Sequence, residues 1–161
     1  MKRSRVGKRH QDGVTTLEFA IVGLLLFVIL FAVIEFGRAL FVMNTLTEAT
    51  RRGARLAAVC PVGDPKPASA AVFDTGTGRS AVVSGLTPAN IVIEYLDING
   101  TAIGAPGANF SQIRYVRARV VGFSLSLVIP TIMPTLPMSG FTTTLPRESL
   151  GIPRSGVVTA C

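Results

Sequence analysis

Between Phe19 and Ile34 the chain runs for 16 residues without a charged or hydrogen-bonding side chain. A helix that is apolar around its whole circumference has no polar face to offer water, so it needs lipid or a deep protein core. A chain of 161 residues has room for one small domain plus an anchor rather than two independent domains. Its residues are 48% apolar and only 16% charged, and the apolar excess is local to this run. Alone, the run is slightly short of the roughly 20 residues that span a bilayer. Val14 to Leu17 on one side and Phe36 on the other extend it, provided Glu18 and Glu35 sit near the two interfaces. The extended segment reads as one transmembrane helix.

The formal charge of +7 matters less than its placement. Lys2, Arg3, Arg5, Lys8 and Arg9 precede the span, opposed only by Asp12. That bias predicts a cytoplasmic N-terminus and an exported C-terminal portion. A basic tail also suits nucleic acid, but beside a membrane span topology accounts for it, and no nucleic-acid partner is expected. A secretory signal peptide shares the basic start and apolar core. This core is long for that class, and no A-x-A site closes it. The small residues around Arg55-Leu56-Ala57-Ala58 lie far beyond it, and Cys60 after Ala-Ala-Val makes a poor lipoprotein signal.

The stretch Gly13-Val14-Thr15-Thr16-Leu17-Glu18-Phe19 resembles the processing site of type IV prepilins. The resemblance implies a prepilin peptidase cutting after Gly13 on the cytoplasmic side, Val14 as the new N-terminus, and Glu18 as the fifth residue of the mature chain. The short basic leader fits, whereas Val14 departs from the commoner phenylalanine. A buried carboxylate is costly unless paired. Cleavage would create an α-ammonium on Val14, a partner for Glu18 of the same chain or of a packed neighbour. Such a pair sets axial register in an assembly. The plainer alternative leaves Glu18 in the headgroup layer.

Over a longer span, GVTTLEFAIVGLLLFVILFAVIEFGRALFVMNTLTEATRRGARLAAV is similar to the N-terminal region of TadE-like proteins, minor pseudopilins of the tight-adherence (Flp) pilus system. The likeness rests on Glu18-Phe19-Ala20, on Glu35-Phe36-Gly37-Arg38 after the apolar run, on Ala49, and on Arg52-Gly53-Ala54-Arg55.

Glu35 and Arg38, three apart, share a helix face and can pair. Glu18 and Glu35 are separated by about 25 Å of helix rise, so they can mark opposite interfaces. Glu35 and Arg38 then read either as an interfacial stop signal or, by the TadE resemblance, as a subunit contact. Beyond Arg38 the pattern becomes two-faced. Ala39, Val42, Met43, Leu46, Ala49, Thr50, Gly53, Ala54 and Ala57 recur at helical spacing, opposite Asn44, Glu48, Arg51, Arg52 and Arg55. This predicts an amphipathic helix with Glu48–Arg51 or Glu48–Arg52 pairs. Ala49, Gly53 and Ala57 form a small-xxx-small series that permits close approach, either of the chain's own core or of a partner pseudopilin.

The expected organisation is therefore a basic leader over 1–13, a transmembrane helix over 14–37, its amphipathic continuation over 38–60, and an exported β-rich head over 61–161. Pro61, Pro65 and Pro67 end the helix and begin a connector. Val82-Val83, Ile91–Ile98, Tyr115–Ile129 and Phe141–Leu145 are candidate strands, with a turn at Asn99-Gly100 and a bend or bulge at Gly122. Pro130, Pro134 and Pro137 interrupt structure. The fold class is α+β, pilin-like, with the long N-terminal helix packed against a small antiparallel sheet of three or four strands. Cys60 and Cys161 are the only cysteines. An exported head permits their disulfide, with two free thiols or an intermolecular bond as the alternatives.

Catalysis has little support. His10, the one histidine, lies in the leader. Asp64, Asp74, Glu94, Asp97 and Glu148 show no spacing for a paired catalytic site or a metal loop. There is no phosphate-binding glycine loop with its lysine, and two cysteines do not make a zinc site. No enzyme activity, cofactor or metal is expected. The resemblance implies a structural or assembly protein of the bacterial inner membrane, single-pass, with the head periplasmic or extracytoplasmic and in places pilus-associated. Its implied partners are prepilin peptidase, other minor pseudopilins, the major Flp-type pilin, an inner-membrane assembly platform and the phospholipid membrane. The alternative is a membrane-anchored binding or sensor protein whose surface includes Arg114, Arg117 and Arg119.

Overall fold

The computed structural model describes residues 12–128, 135–152 and Cys161. The leader residues up to Gln11, and Ile129, Pro130 and Pro134 of the strand-and-proline region, lie outside the described residues. Two compact units divide the chain, one ending at Arg38 and the other running from Ala39 to Cys161. Helix α1, Asp12–Val59, contributes to both.

In the first unit α1 has no sheltered apolar face. The most apolar 18-residue window of the helix has a mean hydropathy of 3.0, and none of it is buried. Phe19 is 79% exposed and Leu24 67%. Apolar surface on every side of a helix calls for a solvent that is itself apolar, and the segment fits a membrane anchor.

In the second unit α1 is sided. Val42, Leu46, Ala49, Thr50, Gly53, Ala54 and Ala57 are buried, while Asn44, Glu48, Arg51, Arg52 and Arg55 are exposed. The helix gives way at Pro61, but the prolines that follow do not simply make a connector. Pro67 sits in the first turn of a short helix α2, Lys66–Ala71. Proline is tolerated there because that N–H has no intrahelical acceptor.

Among the described residues five strands follow: β1 Ile91–Leu96, β2 Tyr115–Val120, β3 Ser124–Ser126, β4 Thr135–Pro137 and β5 Thr142–Pro146. They form an antiparallel sheet in the order β1-β2-β5 and a separate two-stranded sheet of β3 and β4. The apolar-alternating run after Arg114 is thus divided, with Gly122 (φ +61°) between a strand of one sheet and a strand of the other. Pro137 closes β4 rather than interrupting structure. Val82-Val83 is not a strand. Ser80 Oγ accepts from both of their backbone N–H groups, at 3.2 and 3.1 Å, a local bond that replaces a ladder partner. Asn99-Gly100 does turn the chain. Asp97 Oδ1 accepts from the N–H groups of Asn99 and Thr101, and Ala102 returns to bridge Leu96.

The register places Glu94 opposite Arg117, and Arg117 opposite Thr144. Val116, Ala118 and Val120 alternate inward from β2, where they are buried. Leu46 and Ala49 of α1 join Val72, Leu86 and Val120 in one core cluster. A second holds Ala57, Ala58, Tyr95, Ile113, Val116 and Leu150. The helix lies close on the sheet at Gly53. A Cβ there would stand 3.2 Å from the Cβ of Ala71 and 3.4 Å from that of Ala118. One turn earlier, the Thr50 and Thr143 hydroxyls meet at 2.9 Å.

Candidate functional site

Val14 and Glu18 are four apart on α1 and so lie on one face of the helix. Both are exposed, and among the described residues no hydrogen bond or ion pair engages Glu18. This carboxylate stands one turn from residue 14, at the start of the apolar run. At the other end of the apolar run Arg38 Nε donates to Glu35 Oε1 at 3.2 Å, and Nη2 closes on the same oxygen. This i, i+3 pair neutralises two charges where the uniformly apolar sequence stops.

Ala49, Gly53 and Ala57 are brought together, but on the inner side of the head. They are buried by the chain's own sheet and by Ala71. A partner helix would need that face open, and it is occupied. The expected Glu48 pairs do not form. Glu48 is exposed with no ion pair among the described residues, while the Arg52 guanidinium lies 4.6 Å from the centre of the Phe73 ring. Cation–π contact with an adjacent ring competes with an exposed i, i+4 pair worth only about 0.5 kcal/mol.

Cys60 and Cys161 are joined by a disulfide, with Cα atoms 5.7 Å apart. Beside it lies a feature that sequence reasoning missed. The last carbonyls of a helix lack partners within the helix. Here they are met by Glu148–Gly151. The N–H groups of Glu148 and Leu150 donate to Ala58 O at 3.1 and 3.2 Å, and that of Gly151 to Val59 O at 2.6 Å. Ser149 Oγ also donates to Val59 O, at 3.1 Å. A Cβ on Gly151 would stand 2.6–2.8 Å from Pro61 atoms, and its φ is +78°. Only glycine fits this crossing. The donors and acceptors are some 90 residues apart, so no local pattern signalled the clamp.

On the outer face of the sheet, Glu94 holds both arginines that face it. Arg117 Nε and Nη2 reach Oε2 at 2.8 and 2.6 Å, and Arg119 Nε reaches Oε1 at 2.8 Å. Partial burial would raise the Glu94 carboxyl, but the hydrogen bonds and charges of the two arginines outweigh it and hold the carboxyl below its ordinary value. Asp74 is likewise lowered. Desolvation opposes ionisation, and the N–H groups of Gly76, Thr77 and Gly78 on its carboxylate prevail. It organises a loop. Among the described residues no three His, Cys, Asp or Glu side chains are grouped to hold a metal ion.

The described residues thus comprise an exposed apolar helix with a charge near each end, and a small disulfide-closed head. Neither the curated proteins nor the solved structures contain a match to this chain. Residues 13–55, from the glycine before the apolar run to the last arginine of the amphipathic face, match the family described as TadE-like protein. This chain thus carries a TadE-like segment, which points to a protein associated with the Tad pilus.

Proposed function

We propose that the chain is a minor pseudopilin-like assembly protein of a tight-adherence (Flp, type IVc) pilus or a related secretion filament. It is cut after Gly13 by a prepilin peptidase and acts by helix packing. The observation that carries this reading is the ordered combination within residues 13–55: glycine, then a carboxylate five residues on, then a wholly apolar helix closed by a Glu-Arg pair. Cleavage converts the Val14 amide nitrogen into an ammonium one helical turn from Glu18. An unpaired carboxylate buried among packed apolar helices is unfavourable. Pairing with that ammonium, in the same or an adjacent subunit, offsets the cost only at one axial register. Glu35 and Arg38, already paired with each other, present a neutral polar contact to the neighbouring subunit's helix at the other end.

In this reading the head is exported and oxidised, with the N-terminus cytoplasmic before cutting and the span in the bacterial inner membrane. The partners are the peptidase, other minor pseudopilins, the major pilin and the membrane assembly platform. Ala49, Gly53 and Ala57 serve the subunit's own core. The test is intact mass with N-terminal sequencing of membrane-extracted protein expressed alongside its prepilin peptidase. A chain beginning at Val14 is expected. One beginning at Met1 despite active peptidase would favour an anchored extracytoplasmic receptor. A cut beyond Phe36 would make the span a removable signal and end the packing mechanism.

A further inference from the structure

On the outer face of the three-stranded sheet, a cleft of about 530 Å³ runs beside β5. Arg117, Arg119, Thr142 and Thr144 line it, and Gly140 and Phe141 close one end. The two arginines are not equivalent. Arg117 commits Nε and Nη2 to Glu94. Arg119 commits Nε alone, and among the described residues its two Nη groups have no acceptor, in a side chain that is 43% exposed. Glu94 therefore grips the guanidinium by one side and leaves the Nη edge open. Two parallel N–H donors on a planar group match the two oxygens of a carboxylate.

Charge narrows the ligand. Two arginines and one glutamate leave a single net positive charge at the cleft, which suits a monoanion. A phosphate dianion would also meet the Glu94 charge at close range. Thr142 and Thr144 stand opposite Arg119 and Arg117 in the register, so their hydroxyls share the face that the ligand would occupy. β5 is also the last strand of its sheet. Among the described residues nothing pairs with its second edge, which leaves backbone donors and acceptors for an extended chain. Residues 39–161 hold more lysine and arginine than aspartate and glutamate, so a second copy of this head is a poor electrostatic match.

We propose that this cleft receives an acidic residue from an extended segment of a partner protein, its carboxylate on the Nη edge of Arg119 and its backbone along β5. The site is a feature of the head and holds whether or not the chain is cut after Gly13.

The probe is a capped pentapeptide with glutamate between two valines, titrated into the full chain in detergent micelles and read by amide and arginine Nε–H chemical shifts. A glutamine-centred peptide and free glucuronate serve as comparisons. The glutamate peptide should bind about tenfold more tightly than the glutamine one, the scale of a bidentate charged contact, and should shift the amides of Thr142 to Thr144. Arg119→Gln should abolish that preference. If this variant is unstable, the glutamate–glutamine comparison on the unaltered chain decides alone. Equal affinity for the two peptides, binding that leaves the β5 amides unmoved, no binding of either peptide, or capture of glucuronate in preference to both would each overturn the proposal.

Discussion

Replacing Gly53 by alanine sets two effects of similar size against each other. Alanine is favoured over glycine inside a helix by about 1 kcal/mol. The added methyl, however, would lie 3.2 Å from the Ala71 Cβ and 3.4 Å from the Ala118 Cβ, with Ile93 Cδ1 at 3.6 Å. Carbon atoms are most comfortable at about 3.5–4.0 Å. Ile93 can yield by rotating, but the two alanine methyls are fixed to the backbones of α2 and β2, so helix and sheet must part by a few tenths of an ångström. Overpacking of this kind costs about 1–3 kcal/mol. The clash should therefore win, with a net loss of about 1 kcal/mol, or about 3–6 °C in Tm for a unit of this size. Gly53→Val adds two further methyl groups to the same contact and should lose about 3 kcal/mol or more. The assay is thermal and urea unfolding of the detergent-solubilised full chain, followed by the fluorescence of buried Tyr95. Combining Gly53→Ala with Ala71→Gly should recover part of the loss as a favourable coupling in a double-mutant cycle. If Gly53→Ala instead raised stability by the full helix-propensity gain, the tight approach of helix and sheet would be refuted.

Reducing the Cys60–Cys161 bond, which closes a separation of 101 residues, should lower stability by about 2–4 kcal/mol, the usual range for a disulfide. Non-reducing mass analysis after alkylation verifies the pairing, and urea unfolding with and without reductant gives the loss. Gly151→Ala should cost about 2 kcal/mol or more through its collision with Pro61 and its left-handed φ, with faster amide exchange at the end of α1 as the diagnostic readout. Glu94→Gln should cost about 1 kcal/mol at neutral pH, discounted for the partial exposure of both arginines. Because the Glu94 carboxyl is lowered in the folded chain, its contribution is present above the ordinary value near 4.5 and is lost as pH falls through the folded one. The stability gap between wild type and variant should therefore narrow only in acid, and a gap that narrowed toward alkaline pH would contradict the assignment.

Much of α1 was legible in the sequence because each part of it rests on near neighbours. Uniform apolarity from Phe19 to Ile34, two-faced spacing from Ala39 to Ala57, and the absence of proline between Val14 and Cys60 are all properties of successive helical turns. β2 was legible for the same reason, through alternation, and β1 and β5 through their β-branched residues. Tertiary structure decided what depended on distant residues. Whether Ala49, Gly53 and Ala57 face their own sheet or another helix is a question of what stands across from them, and Ala71 and Ala118 stand there. Gly122 could be recognised as a break but not as a crossing between two sheets, since strand partnership is a long-range choice. Val82-Val83 carried strand-forming residues, yet Ser80 captured their N–H groups. The pairing of Glu94 with Arg117 and Arg119 needed a register, because 23 and 25 residues separate them in the chain. The closing of α1 by Glu148–Gly151 lies farther still from sequence reasoning: backbone groups carry no residue identity, and only folding brings those donors to the carbonyls of Ala58 and Val59.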